Sequence, residues 1–217
     1  MREGARDVEG WLTTMLDSAL RPVKDRLLAP FARSPVTLLH PAGISAIGLG
    51  FGLGAAIAAW QQLPALAVVL WLTGRLADGL DGIVARETDR STDAGGLIDF
   101  VFDTLAYAAI PLGLAFGADD RATWIATAVV LASFYVNAVS LGYIAALLEK
   151  RALGAAARGE PTSATLPRGL IEGTETIVFF TIALAFPDAA ATVWWVMAVA
   201  VVVTALERVR WAIRLLR

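Results

Sequence analysis

Residues 64–103 read PALAVVLWLTGRLADGLDGIVARETDRSTDAGGLIDFVFD, and four aspartates in that stretch, Asp78, Asp81, Asp99 and Asp103, stand within apolar runs. A buried ionised carboxylate is costly unless it is paired or bound to a metal. Four on neighbouring apolar segments therefore need a common reason, and a shared metal site is the simplest one.

The spacing supports that reading. A helix turns about 100° per residue. Asp78, Asp81, Gly82, Ala85 and Arg86 stand at offsets 0, 3, 4, 7 and 8, one stripe of one helix. Gly95, Asp99 and Asp103 stand at offsets 0, 4 and 8, one stripe of the next. A short connection makes the two helices antiparallel neighbours, so the stripes can face each other and bring four carboxylates together. Two divalent ions would neutralise them, and such ion pairs serve in-line displacement at phosphorus. Gly82, Ala85 and Gly95 let a ligand or backbone approach closely. Arg86, at the mouth, can hold phosphate oxygens bidentately.

The rest of the chain supplies the setting. Hydrophobic residues are 57% of 217, against about 45–50% in a soluble domain, and mean hydropathy is +0.65. This composition indicates an all-α integral membrane protein. There is no cysteine, and His40 is the single histidine. Thiolate and poly-histidine metal sites are thereby excluded, leaving oxygen ligands and a hard cation such as Mg²⁺, Mn²⁺ or Ca²⁺. The net charge of −2 carries no signal of its own, and no nucleic-acid partner is expected.

The first 35 residues carry Arg2, Arg6, Arg21, Lys24, Arg26 and Arg33 and lack the apolar core of a signal peptide. Leu12, Leu16, Ala19, Leu20 and Val23 fall at helical spacing, which predicts an amphipathic cytoplasmic or interfacial helix over 1–35. Residues 36–217 form the membrane domain. A span needs about 20 apolar residues. Six are predicted, near 38–60, 64–86, 94–116, 122–148, 169–186 and 189–213. Lys and Arg concentrate at the N-terminus, in the second and fourth connections, and at the C-terminal end. By the positive-inside rule both termini and the Asp cluster face the cytoplasm. A bacterial-type inner or plasma membrane is expected.

The same segment resembles the signature of the CDP-alcohol phosphotransferase family, D-x2-D-G-x2-A-R-x8-G-x3-D-x3-D. Asp78, Asp81, Gly82, Ala85, Arg86, Gly95, Asp99 and Asp103 fill every specified position over 26 residues. The six-span layout behind a surface helix is also similar to the family. The resemblance implies metal-dependent transfer of a phosphatidyl or phosphoalcohol group from a CDP-linked donor to an acceptor alcohol, with release of CMP, in phospholipid synthesis. It implies that Asp78, Asp81 and Asp99 bind Mg²⁺ or Mn²⁺, two ions in all. Asp103 completes the metal shell and also takes the acceptor proton, and cytidine lies beside Gly82 and Ala85. It also implies a homodimer. The donor expected is CDP-diacylglycerol, since lipid tails can enter between helices. The alternative is a soluble phosphoalcohol carried on CDP and moved to diacylglycerol.

Intramembrane acids also line cation or proton paths, but a transporter does not account for the Gly, Ala and Arg positions. No motif residue is missing, which speaks against a degenerate scaffold. Arg75, one turn before Asp78, is read as the partner of a carboxylate or as reaching the far side of the cavity. Asn137 is read as lining the cavity or as a contact between helices.

Glu172 and Glu175 begin the fifth span near Arg168 and share a face. They are read as lining the acceptor cavity with Arg168, against the alternative of capping or pairing. Family members that take phosphorylated inositol have a lysine after Tyr-Ile and a Glu-Arg-x-Glu-Arg run. This chain has Tyr143-Ile144-Ala145 and Glu172-Gly173-Thr174-Glu175-Thr176. The missing basic residues speak against an inositol-phosphate acceptor. Glycerol 3-phosphate stays open because Lys150, Arg151 and Arg168 are near, as do inositol, serine and amino alcohols.

Overall fold

A computed structural model describes residues 40–88, 90–154 and 170–216, with Arg86 and Glu87 described in their backbone alone. The amphipathic helix expected over 1–35 and most of the fourth connection, with Arg168, lie outside the described residues. Those described are helical, with no strand among them: α1 Pro41–Trp60, α2 Pro64–Glu87, α3 Asp93–Ala118, α4 Arg121–Lys150, α5 Gly173–Ala185 and α6 Ala190–Leu216, the last preceded by a 3-10 turn at Pro187–Ala189.

Local chemistry sets the helix ends. Pro41 opens α1, where its missing N–H costs nothing, and His40 Nδ1 accepts from the Ala42 amide at 3.3 Å. Gln62 turns the chain in the left-handed region (φ 57°) before Pro64 starts α2. Thr92 caps α3 by accepting from Gly95 N at 3.0 Å. Asp120 caps α4 by accepting from Ala122 N and Thr123 N at 2.8 and 3.0 Å. The Thr123 hydroxyl and amide hold the Asp120 carboxyl below the usual carboxylate range. Phe186 and Pro187 stop α5 after 13 residues.

Helices α1, α3, α4 and the run Pro187–Leu216 are long and apolar enough to cross a membrane. Helix α2 falls outside that set although it is 24 residues long. Its C-terminal half carries Arg75, Asp78, Asp81, Arg86 and Glu87. Helix α5 is apolar but short. The outer surface is apolar, with Ile57, Val69, Leu97, Val139 and Val199 all exposed. Such a surface suits lipid.

Helix α1 packs along both α2 and α3, α4 along α6, and α5 bridges α2 and α6. The α1–α3 contact is close because small residues meet there. Side chains added at Gly113 or Gly117 would strike the Ala56 and Ala59 carbonyl oxygens. The core centres on Trp71, Ile110, Phe180, Leu184, Trp194 and Met197, drawn from α2, α3, α5 and α6. Trp194 is thus a packing aromatic.

Candidate metal and transfer site

Asp78 and Asp81 lie in the C-terminal half of α2, and Asp99 and Asp103 in the N-terminal half of α3, so the four share one end of the bundle. The offsets of three and four place each pair on one helix face, as the sequence indicates. Through its contacts with both helices, α1 fixes their separation. Carboxylate oxygens of Asp78, Asp81 and Asp99 all lie within 4.8 Å of one another. Asp81 is buried, while Asp78 and Asp99 are half-buried. Across the helix boundary, Ser45 Oγ of α1 donates to Asp81 Oδ2 at 2.5 Å.

Asp103 lies outside the set of three whose oxygens all converge, but its side chain is in hydrogen-bond contact with that of Asp78. Its Oδ1 accepts from Arg75 Nη1 at 2.6 Å, and the same Nη1 lies 3.7 Å from Asp78 Oδ2 and 3.3 Å from the Tyr107 hydroxyl. Arg75 therefore pairs with carboxylates, one of the two roles the sequence allowed it.

The triplet fits a hard divalent cation. Its donors are all carboxylate oxygens, and it contains no nitrogen or sulfur ligand. Oxygens on opposite sides of an ion bound at about 2.1–2.5 Å stand about 4.2–5.0 Å apart. The observed spread matches that range.

Other positions singled out in the sequence fall as follows. Gly82 and Ala85 are half-buried on α2. Arg86 is in α2, with its side chain outside the described atoms. Gly95 occupies the first turn of α3, and a Cβ there would stand 3.1 Å from Thr92 Oγ1, tight against the cap. Glu172 and Glu175 form a reciprocal capping box at the start of α5. The backbone half of it, Glu172 N to Glu175 Oε2, measures 3.2 Å. Capping is thus a definite role for this pair, and the acceptor contact would come in addition to it. A carboxylate offers about four lone-pair sites, so one amide bond does not exhaust either group.

Asn137 makes the contact between helices foreseen for it, its Oδ1 accepting from Arg208 Nη1 of α6 at 2.9 Å. It also lines a cavity of about 120 Å³ with Tyr107, Phe134, Ile171, Thr176, Val201 and Thr204, none of the four aspartates being part of that lining. Sequence reasoning missed Ser45, Tyr107 and Arg208. Arg208 was counted only as a basic residue at a helix end, yet it is 7% exposed. Tyr107 stands one turn after Asp103, and that spacing is the signal that could have found it.

Comparison with known proteins places these features in a wider set. The family model described as CDP-alcohol phosphatidyltransferase matches residues 38–206. The inner membrane protein YnjF of Escherichia coli is 35% identical over 180 residues, which are 80% of this chain and 83% of that protein. The phosphatidylinositol phosphate synthase of Mycolicibacterium smegmatis is 34% identical over 146 residues, covering 62% of this chain and 59% of that one. The crystal structure of the Mycobacterium tuberculosis phosphatidylinositol phosphate synthase with CDP-DAG bound shares the fold. Its TM-score is 0.67 at 24% identity, over 86% of this chain and 94% of that one. A second structure of that synthase, in complex with manganese and citrate, superposes with the same TM-score of 0.67 at 22% identity, over 85% and 88% of the two chains.

Proposed function

The chain belongs to the CDP-alcohol phosphatidyltransferase family, and from that premise we propose that it moves a phosphatidyl group from CDP-diacylglycerol to the hydroxyl of an acceptor alcohol, releasing CMP. It is a phosphotransferase of phospholipid biosynthesis and an integral membrane protein. The observation that carries the proposal is the convergence of Asp78, Asp81 and Asp99 oxygens within 4.8 Å at one end of apolar helices. The synthase structure with CDP-DAG bound supports a lipid donor. The complex with manganese supports a divalent ion, Mg²⁺ or Mn²⁺, at the triplet.

Bound there, divalent ions would neutralise the donor pyrophosphate and the leaving CMP. The residues of the chain do the rest. Asp78, Asp81 and Asp99 would hold the ions, with Ser45 fixing the Asp81 carboxylate. Half-buried Gly82 and Ala85 leave room for cytidine on the α2 face, and Arg86 and Gly95 complete the donor side. Asp103, one turn beyond Asp99, takes the proton of the acceptor hydroxyl. The acceptor oxygen forms its bond to the phosphatidyl phosphorus as the bond from that phosphorus to the CMP oxygen breaks.

In this reading six helices span the membrane, α2 and α5 included. Both termini and the site face the cytoplasm, behind an N-terminal surface helix, and the enzyme is a homodimer. Glu172, Glu175 and Arg168 flank the acceptor. The missing basic residues around Ala145 and Gly173 favour an acceptor other than inositol phosphate, although two relatives are named phosphatidylinositol phosphate synthase and archaetidylinositol phosphate synthase. The direct test is CMP release by the purified protein given CDP-diacylglycerol, Mg²⁺ and a panel of inositol, inositol phosphate, glycerol 3-phosphate, serine and amino alcohols. Release with at least one acceptor supports the reading. Release only from a CDP-alcohol with diacylglycerol would reverse donor and acceptor.

A further inference from the structure

The outer face of α6 changes character along its length. Val199, Val203 and Leu206 are exposed on it, and steps of four residues carry the same stripe on to Arg210 and Arg214. Both arginines are exposed. A strip suited to acyl chains thus ends in two guanidinium groups one helical turn apart. Neighbouring arginines are committed elsewhere. Arg208 is buried and donates to Asn137 Oδ1 at 2.9 Å, and Arg151 donates to the Leu216 carbonyl oxygen at 2.5 Å. Arg210 and Arg214 make no ion pair among the described residues, although Glu207 is exposed one turn before Arg210. Half-buried Trp211 packs with Ile144, Leu148 and Ala212, which seats this end of α6 firmly on α4.

We propose that Arg210 and Arg214 form a docking site for the headgroup phosphate of an anionic phospholipid, whose chain lies along Val199, Val203 and Leu206. Charge complementarity carries the proposal. Like charges at i and i+4 on a helix repel, and a phosphate between them removes that repulsion. The pair stands where the apolar face of a helix long enough to cross a membrane ends, so the anion that reaches it is a lipid headgroup. Guanidinium forks suit phosphate oxygens, which they bind in pairs. A zwitterionic headgroup brings an ammonium that offsets the attraction, so the site selects lipids of net negative charge. It lies apart from the acidic cluster of α2 and α3 and stands without the transfer reading.

The test uses the full chain in detergent, with lipid binding counted by native mass spectrometry. The probes are dioleoyl-phosphatidylglycerol, dioleoyl-phosphatidylcholine and inorganic phosphate. The first phosphatidylglycerol should bind about tenfold or more tightly than the first phosphatidylcholine at low salt, and added salt should narrow the gap. Arg210→Gln and Arg214→Gln should each weaken phosphatidylglycerol binding by about fivefold and leave phosphatidylcholine unchanged. The double variant should lose the preference. Arg210→Lys keeps the charge and should retain most of it. Lys150→Gln removes an exposed cation from the end of α4 and should leave the preference intact.

Two arginines that serve only the α6 C-terminus and its solvation would act differently. Equal affinity of the wild-type chain for the two lipids would overturn the proposal, as would an unchanged preference in the double variant. An equal loss in Lys150→Gln would trace the preference to overall charge and overturn the site as well. Inorganic phosphate that displaces the lipid at equal concentration would show an anion site without a lipid component, which also refutes the proposal. Should a Gln variant not fold, Arg210→Lys and Lys150→Gln with preferences near wild type, beside a wild-type preference that added salt removes, uphold it, and any other pattern refutes it.

Discussion

Ser45 of α1 donates a 2.5 Å hydrogen bond to Asp81 of α2, so the first helix reaches into the acidic cluster of the second. The bond is buried and ends on a carboxylate, the kind that contributes about 1.5–3 kcal/mol. Groups that orient metal ligands typically govern affinity by about 10–100-fold. Ser45→Ala should therefore weaken Mn²⁺ binding by about tenfold or more, and Ser45→Thr should restore most of it. A calorimetric Mn²⁺ titration reads this directly, and an unchanged Ser45→Ala isotherm would remove Ser45 from the site.

The aspartates should separate by role. Asp78→Asn, Asp81→Asn and Asp99→Asn should weaken Mn²⁺ and donor binding as well as turnover. Asp103→Asn should leave donor binding closer to intact and lower kcat by about 10²–10⁴-fold. Steady-state kinetics beside equilibrium binding of a CDP-lipid make the comparison. Near-wild-type turnover in Asp103→Asn would end its assignment as base.

The α1–α3 contact should tolerate no added methyl group. In Gly113→Ala the new carbon would strike the Ala56 carbonyl oxygen, a backbone atom that cannot swing aside. Overpacking of this kind costs about 1–3 kcal/mol, and thermal unfolding in detergent should show it. At Gly142 nothing lies within 4 Å of an added Cβ, so Gly142→Ala should be neutral or slightly stabilising. Equal stability of the two variants would contradict the packing described.

The two substrates should be separable by mutation. Ala85→Leu adds bulk beside the proposed cytidine position and should raise donor KM. Glu172→Gln and Glu175→Gln keep a side-chain oxygen for the capping box but lose the charge. They should alter acceptor KM more than donor KM, with melting temperature nearly unchanged. Equal changes in both KM values would leave the glutamates as caps alone.

The helices were legible because apolar length and Pro, Asp and Thr signals mark them. The predicted ranges 38–60, 64–86, 94–116 and 122–148 lie within a few residues of α1 to α4. The fifth differs more at its start, 169 against Gly173, because the Glu172 and Glu175 box begins the helix at that point. The Asp78, Asp81 and Asp99 convergence was legible because helical periodicity fixes each stripe. Ser45 was not, since it is 36 residues from Asp81 in sequence and meets it only through the packing of α1. The ion pair of Asp103 with Arg75 was not fixed either. Spacing alone puts Asp103 on the Asp99 stripe, and the ion pair comes from a guanidinium that lies over the Trp71 and Tyr107 rings.

The account depends most on a divalent ion at Asp78, Asp81 and Asp99. CMP release from CDP-diacylglycerol, measured after chelation with EDTA and then across a Mg²⁺ or Mn²⁺ titration, tests it most directly. Activity should vanish with chelator and return with the added ion, and Asp81→Asn should need a much higher concentration to recover any. Full CMP release in excess EDTA would contradict the metal site and the mechanism built on it.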